Sequence, residues 1–242
     1  MKEDLIKVQD ALDTILKNIK ILSSEAVKLT ESLDRVLAED IYAGIDIPLV
    51  DNSAMDGYAL RSVDVQDSYK NNQKVLEVID DVKAGDVPKV TLGVNQAIRI
   101  MTGATVPKGA DSVVMVEDTE KDGRNKVRIF KETKLADNIR RKGEDIKNGE
   151  FVIARGTLLS SAHIGILASL GKSEIQVTRR PRVAILATGD EVIDVDEKLE
   201  PGKLRSSNTY TLYSQVIKCG GLPKNLGIAH DKPEELEDKI KQ

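Results

Sequence analysis

Cysteine is almost missing from this sequence. Cys219 is the single one in 242 residues, so no disulfide can form within the chain. The opening Met-Lys-Glu-Asp has no apolar core of an export signal, and together these features lead us to expect a reducing, cytoplasmic setting. Histidine is scarce too. His163 and His230 are the whole supply, which leaves little for a zinc or copper centre. Any metal is therefore expected to be a hard cation held by carboxylates and phosphates. Tryptophan is absent and aromatics make up 3%, which removes the stacking platforms that hold single-stranded nucleic acid. No apolar run reaches the length that spans a bilayer. Neither sign of charge prevails: 36 Lys and Arg against 40 Asp and Glu leave a net −4. Such a balance points to neither a nucleic-acid nor a membrane partner.

What is present is enough chain for more than one domain. Leu5, Val8, Leu12, Ile15, Leu16 and Ile19 recur at helical spacing and predict an amphipathic helix facing a core. Ala26 to Leu29 is extended, and Thr30 is placed to cap a helix carrying Leu33, Val36 and Leu37. Between about Tyr58 and Phe130 the pattern changes to short β-branched runs: Lys74 to Val82, Gln96 to Met101, Ser112 to Glu117 and Lys126 to Phe130. Turn pairs such as Lys108-Gly109 and Asp122-Gly123 separate them, which predicts a compact antiparallel β domain. Ser160 and Ser161 then cap a helix over Ala162 to Leu170 that Gly171 ends, with His163 in its first turn for capping or packing. Ile175 and Val177 alternate as in a strand.

Arg179-Arg-Pro-Arg182 reads as a domain boundary. After it, Val183 to Ala187 is a continuous apolar run of the kind buried in a parallel sheet. Ser207 or Asn208 caps a helix closed by Gly220-Gly221, Leu226 to Ala229 is a second strand, and Asp231 to Glu234 fits a capping box for a helix reaching Gln242. This is βαβα order. Two parallel strands cannot bury both faces of a sheet, so a fragment or shortened chain is expected. The fold class is accordingly multidomain, α+β and α/β. An elongated region comprises 1–44 and 147–178, a β-rich domain is inserted at 45–146, and an incomplete α/β domain occupies 179–242.

The chain is organised around Asp46 to Arg61. Pro48 sets an extended approach, Asp51 to Ser53 are turn-forming types, and Asp56-Gly57 predicts a type I′ turn into a strand at Tyr58. Asp190 and Glu191 follow the apolar strand, where ligands of open α/β sheets bind; Gly189 permits close backbone approach, and two adjacent carboxylates suit a magnesium bridging phosphates. Local capping is the alternative for that pair, as it is for Asp231. Arg140, Arg141, Lys142, Arg155, Arg179, Arg180 and Arg182 flank these loops, either as a solvated face or as an attraction for anions.

The run Asp51-Asn-Ser-Ala-Met-Asp-Gly-Tyr58 resembles the signature of the molybdopterin molybdenumtransferases, the MoeA and gephyrin E-domain family. Arg99 to Ala104 with Pro107 and Gly109 to Asp111, Arg141 to Ile146 with Gly149, Ala187 to Glu191, and Ser207-Asn208 resemble further family stretches in the same order. The resemblance implies insertion of molybdate into adenylylated molybdopterin, with magnesium-dependent release of AMP. It assigns Asp56, Thr102, Asp145 and Glu191 to catalysis. Gly189, Asp190, Ser207, Asn208 and Asp231 go to substrate binding, and Asp190 and Glu191 to magnesium. It also implies a homodimer whose cleft joins the α/β domain of one subunit to the β domain of its partner. Family members continue past this point with a third strand and a glycine- and serine-rich loop that holds the pterin phosphate region, so these 242 residues by themselves are expected to be inactive and to bind adenylylated molybdopterin weakly. The alternative is a non-catalytic dimerising scaffold or an inactive fragment of that enzyme.

Overall fold

The computed structural model describes residues 6–241 and is mixed α/β. The chain forms two compact units, one from Tyr42 to Val152 and one from the flanking segments up to Ile41 and from Ile153.

The inserted unit is built on a six-stranded sheet in the order Ser112–Met115, Gly57–Leu60, Gln96–Ile100, Lys74–Val82, Lys126–Ile129, Thr119–Lys121. Alternation along Gly57–Leu60 sends successive side chains to opposite faces, and both faces are covered. Tyr58 and Leu60 pack with Leu76, Ala97, Val114 and Ile129. Ala59 packs with Val82, Ile98, Ile100 and Val113 on the other side. The expected strands are present, but the sheet is not wholly antiparallel, because Lys74–Val82 runs parallel to Gln96–Ile100. Residues 83–95 between them are long enough for the crossover that a parallel pair requires, which the reading of the domain as antiparallel did not foresee.

In the flanking unit, Ser24–Lys28 pairs antiparallel with Glu174–Thr178, and Ile175 and Val177 are buried on one face. Arg35, 8% exposed, donates to Glu25 Oε1 at 2.5 Å and to the Thr178 carbonyl at 3.0 Å. The helix expected after Thr30 does not form. A single 3-10 turn, Leu29–Glu31, gives way at Asp34, whose φ is 58°, and Val36 and Leu37 instead bridge to Leu158 and Val177. Long-range pairing overrides a weak helical propensity here. The helix Ser161–Ser169 is present, with the Ser160 N–H donating to His163 Nδ1 at 3.1 Å, so His163 serves the cap. Farther on, Arg182–Thr188 and Leu222–Ala229 pair in parallel around the helix Ser207–Lys218.

Two helices differ from expectation. Pro233–Ile240 has Lys232 at its N-cap with no side-chain cap, so the Asp231–Glu234 capping box is not made; the helix ends at Ile240 with Lys241 as its C-cap, and Gln242, which it was expected to reach, lies outside the described residues. Val8–Asn18 forms as predicted but faces no core: Val8, Leu12, Ile15 and Leu16 are all exposed, as is Ile19 beyond its end. Leu5, read as part of the same stripe, lies outside the described residues. No helix among the described residues is long and apolar enough to cross a membrane.

Candidate functional site

Three loops of the inserted unit meet at the ends of its strands. Ser53 exchanges backbone bonds with the next loop, its N–H donating to the Ala104 carbonyl at 2.9 Å and its carbonyl accepting from the Gly103 N–H at 2.8 Å. Ile139–Arg140 pairs antiparallel with Asn52–Ser53 and brings in the third loop. The Ser53 hydroxyl donates to the Met55 carbonyl at 2.6 Å, turning the chain toward Asp56. The Asp56-Gly57 pair is not the type I′ turn expected from its sequence, since neither residue has positive φ. Gly57 is required for another reason. A Cβ there would stand 1.9 Å from the Val114 carbonyl oxygen, so the adjoining strands approach too closely for any side chain.

That approach fixes the position of Asp56. Its Oδ1 accepts from the Thr102 N–H at 2.7 Å and from the Thr102 hydroxyl at 2.8 Å. These two bonds, the backbone one first, hold the Asp56 carboxyl below the usual carboxylate value; the charge of Arg99 adds to them and desolvation opposes. Both residues are exposed, and Oδ2 has no protein donor among the described residues. Asp56 and Thr102, named separately from sequence, thus form one unit. Asp145 is joined to them indirectly: it pairs with Arg140, which lies opposite Asn52, and its N–H donates to the Ile47 carbonyl at 3.0 Å. Asn52 Oδ1 is buried without a hydrogen-bond partner among the described residues.

Arg140, Arg141 and Lys142 beside these loops are exposed, and each is paired with a carboxylate. Asp51 accepts from Arg141 Nη1 at 2.6 Å and from the Lys142 N–H at 2.8 Å, and Asp46 accepts from the Asn148 N–H at 2.9 Å with Lys142 Nζ at 3.3 Å. Sequence reasoning missed the roles of Asp46, Asp51 and Arg99. Asp51 and Arg99 lie within the stretches that carry the family resemblance, which was the available signal, and Asp46 opens the segment that leads into the first of them.

In the flanking unit, Gly189 follows the Arg182–Thr188 strand with φ of 135°, and its missing Cβ would lie 2.7 Å from Glu191 Oε2. Glu191 folds back over the glycine. Asp190 Oδ1 accepts from the Asp231 N–H at 3.3 Å, and the Asp190 carbonyl accepts from Lys203 Nζ at 2.6 Å. Asp231 therefore meets this loop through its backbone. Ser207 and Asn208 are exposed in the first turn of their helix and line a cavity of about 330 Å³ with Thr188, Arg205 and Ser206. The cap position falls to Ser206, one residue earlier than expected, and its hydroxyl shares a buried 2.7 Å bond with that of Thr209. Among the described residues no group of three or more His, Cys, Asp or Glu side chains gathers as a metal cage. Asp190 and Glu191 suit a magnesium ion that keeps its waters and takes phosphate oxygens as further ligands, since such ions use one or two carboxylates.

Comparison with known proteins places these loops in context. The family model for the MoeA N-terminal region (domain I and II) matches residues 6–171. The molybdopterin molybdenumtransferase of Staphylococcus epidermidis is 39% identical over 241 residues, covering 100% of this chain and 57% of that protein. The Bacillus subtilis protein of the same name is 38% identical over 244 residues, with the same coverage of 100% and 57%. This chain thus spans little more than half the length of the curated relatives it matches. The crystal structure of the molybdopterin biosynthesis protein MoeA from Pyrococcus horikoshii OT3 superposes with a TM-score of 0.90 at 34% identity, over 98% of this chain and 63% of that one.

Proposed function

This chain belongs to the MoeA family, and from that premise we propose that it serves molybdenum cofactor biosynthesis as a transferase, inserting molybdate into adenylylated molybdopterin with magnesium-dependent release of AMP. The observation that carries this reading is the Asp56–Thr102 pair. One carboxylate oxygen is fixed by two bonds while the other stays open at an exposed loop end.

Molybdate is a tetrahedral dianion and the adenylate link is a pyrophosphate, so the substrates bring concentrated negative charge. Arg140, Arg141 and Lys142 attract them, and the partner carboxylates hold those cations in fixed directions. Asp56 orients what binds beside Thr102. Asp145 steers Arg140 and is its counter-charge. In the flanking unit Gly189, lacking a Cβ, leaves room for the Glu191 carboxylate, Ser207 and Asn208 offer polar groups at a helix start, and Asp231 steadies Asp190. Asp190 and Glu191 would hold magnesium, which when bound lowers phosphate repulsion and polarises the pyrophosphate. Introduced, in the length its own cell makes, into cells that lack their own molybdenumtransferase, the protein is expected to restore a molybdenum-dependent enzyme. Folded, expressed protein without restoration would count against the reading.

A cytoplasmic homodimer completes the proposal, formed through the elongated region 1–44 and 147–178. The exposed stripe Val8, Leu12, Ile15 and Leu16 supports it, because an amphipathic helix gains most of its stability from packing that face. Sedimentation at micromolar concentration is expected to give a dimer, and Leu12→Glu with Ile15→Glu a folded monomer. A wild-type monomer would contradict this arrangement.

A further inference from the structure

Each basic residue around the Asp56 loop has a carboxylate of its own, with one exception. Arg140 has Asp145, Arg141 has Asp51, and Lys142 has Asp46. Arg99 forms no ion pair among the described residues. It stands directly across from Tyr58 in the antiparallel register, its guanidinium carbon 5.0 Å from the centre of the Tyr58 ring. Its Nη1 donates to the Gly57 carbonyl at 3.1 Å. A half-buried guanidinium stacked on an aromatic face keeps a fixed direction at small entropic cost. Ile100 and Met101 then lead along the same segment to Thr102, whose N–H and hydroxyl hold Asp56 Oδ1.

One short segment therefore grips the Asp56-Gly57 corner at two points, Arg99 on the glycine carbonyl and Thr102 on the carboxylate. We propose that Arg99 is a positioning residue for Asp56: it ties this corner to the segment bearing Thr102 and so holds the Asp56–Thr102 bonds in place, with Oδ2 open toward substrate. This rests on the proposed function for its consequence in turnover, though not for its geometry. Arg99 is also the charge that adds to the two Thr102 bonds in lowering the Asp56 carboxyl, as the smallest of the contributions, so its larger effect comes through the placement of Thr102. Lysine cannot replace it fully, because an ammonium is a point charge that does not at once lie flat on the Tyr58 ring and reach the Gly57 carbonyl.

The test is an NMR titration of the Asp56 carboxyl carbon, assigned by its loss in Asp56→Asn, in the wild type, Arg99→Gln and Arg99→Lys. In Arg99→Gln the Asp56 titration is expected to move to higher pH, and Arg99→Lys to recover part of that displacement. In the molybdenum-insertion assay, the acid limb of kcat/KM should move the same way as overall kcat/KM falls roughly tenfold to a hundredfold. A folded Arg99→Gln protein with an unmoved Asp56 titration would overturn the proposal, whatever its activity. A displaced titration with no insertion activity even in the wild type would support the positioning role and contradict the proposed function, which separates the two. Should Arg99→Gln not fold, Arg99→Met keeps the stem against Tyr58 and gives the same two outcomes. Failure of both to fold would also overturn the proposal, by making Arg99 a support of the sheet.

Discussion

Asp56→Asn is expected to lose molybdenum insertion by roughly a hundredfold or more while unfolding almost as the wild type does. The asymmetry follows from the two bonds that Asp56 makes. Thr102 donates both its N–H and its hydroxyl to a single oxygen, and an asparagine oxygen in the same place can accept both. The structural cost should stay within about 1 kcal/mol, the scale of altering one exposed local side-chain bond. What asparagine cannot supply is the negative charge on the other position, where it presents an amide. Thermal unfolding and insertion, measured on the same preparation, separate the two roles. An active Asp56→Asn protein would reduce Asp56 to a loop anchor.

Gly57→Ala is expected to fail in the opposite way, through the fold. The added Cβ would meet the Val114 carbonyl oxygen at 1.9 Å, and main chain cannot step aside as a side-chain end can. The Gly57–Leu60 strand lies between Ser112–Met115 and Gln96–Ile100, so displacing it disturbs ladders on both sides. Forcing volume into a packed site usually costs about 1–3 kcal/mol, and contact with backbone puts this variant at or above roughly 3 kcal/mol. Urea unfolding should show an early midpoint and, because Gly57 adjoins Asp56, insertion should fall with it. A wild-type midpoint would contradict the close strand approach.

Gly57 also illustrates what sequence can and cannot reveal. Its importance was legible, but the reason inferred from Asp-Gly, a turn with positive φ, was wrong; the glycine serves a neighbour far along the chain. Strand positions at Lys74–Val82 and Gln96–Ile100 were readable from their β-branched runs. Their parallel pairing was not, since it depends on the path of the connection rather than on either strand. Thr30 misled for a similar reason, because Val36 and Leu37 find strand partners at Leu158 and Val177 that no local pattern announces. The helix Val8–Asn18 was correctly placed, yet periodicity does not say whether the apolar face is covered within its own chain. At the candidate site, Asp56, Thr102 and Asp145 were named by resemblance alone. That two of them share a bond pair, and that Arg99 stands opposite Tyr58, required the register of the sheet.

The most direct measurement of the central claim is the stoichiometry of insertion. The purified protein, in the length the cell makes, is incubated with adenylylated molybdopterin, molybdate and magnesium, and AMP and pterin-bound molybdenum are counted together. The account predicts molybdate-dependent release of AMP in step with molybdenum bound, lost in Asp56→Asn and dependent on magnesium. AMP release that ignores molybdate, or binding of both substrates with neither product formed, would contradict it.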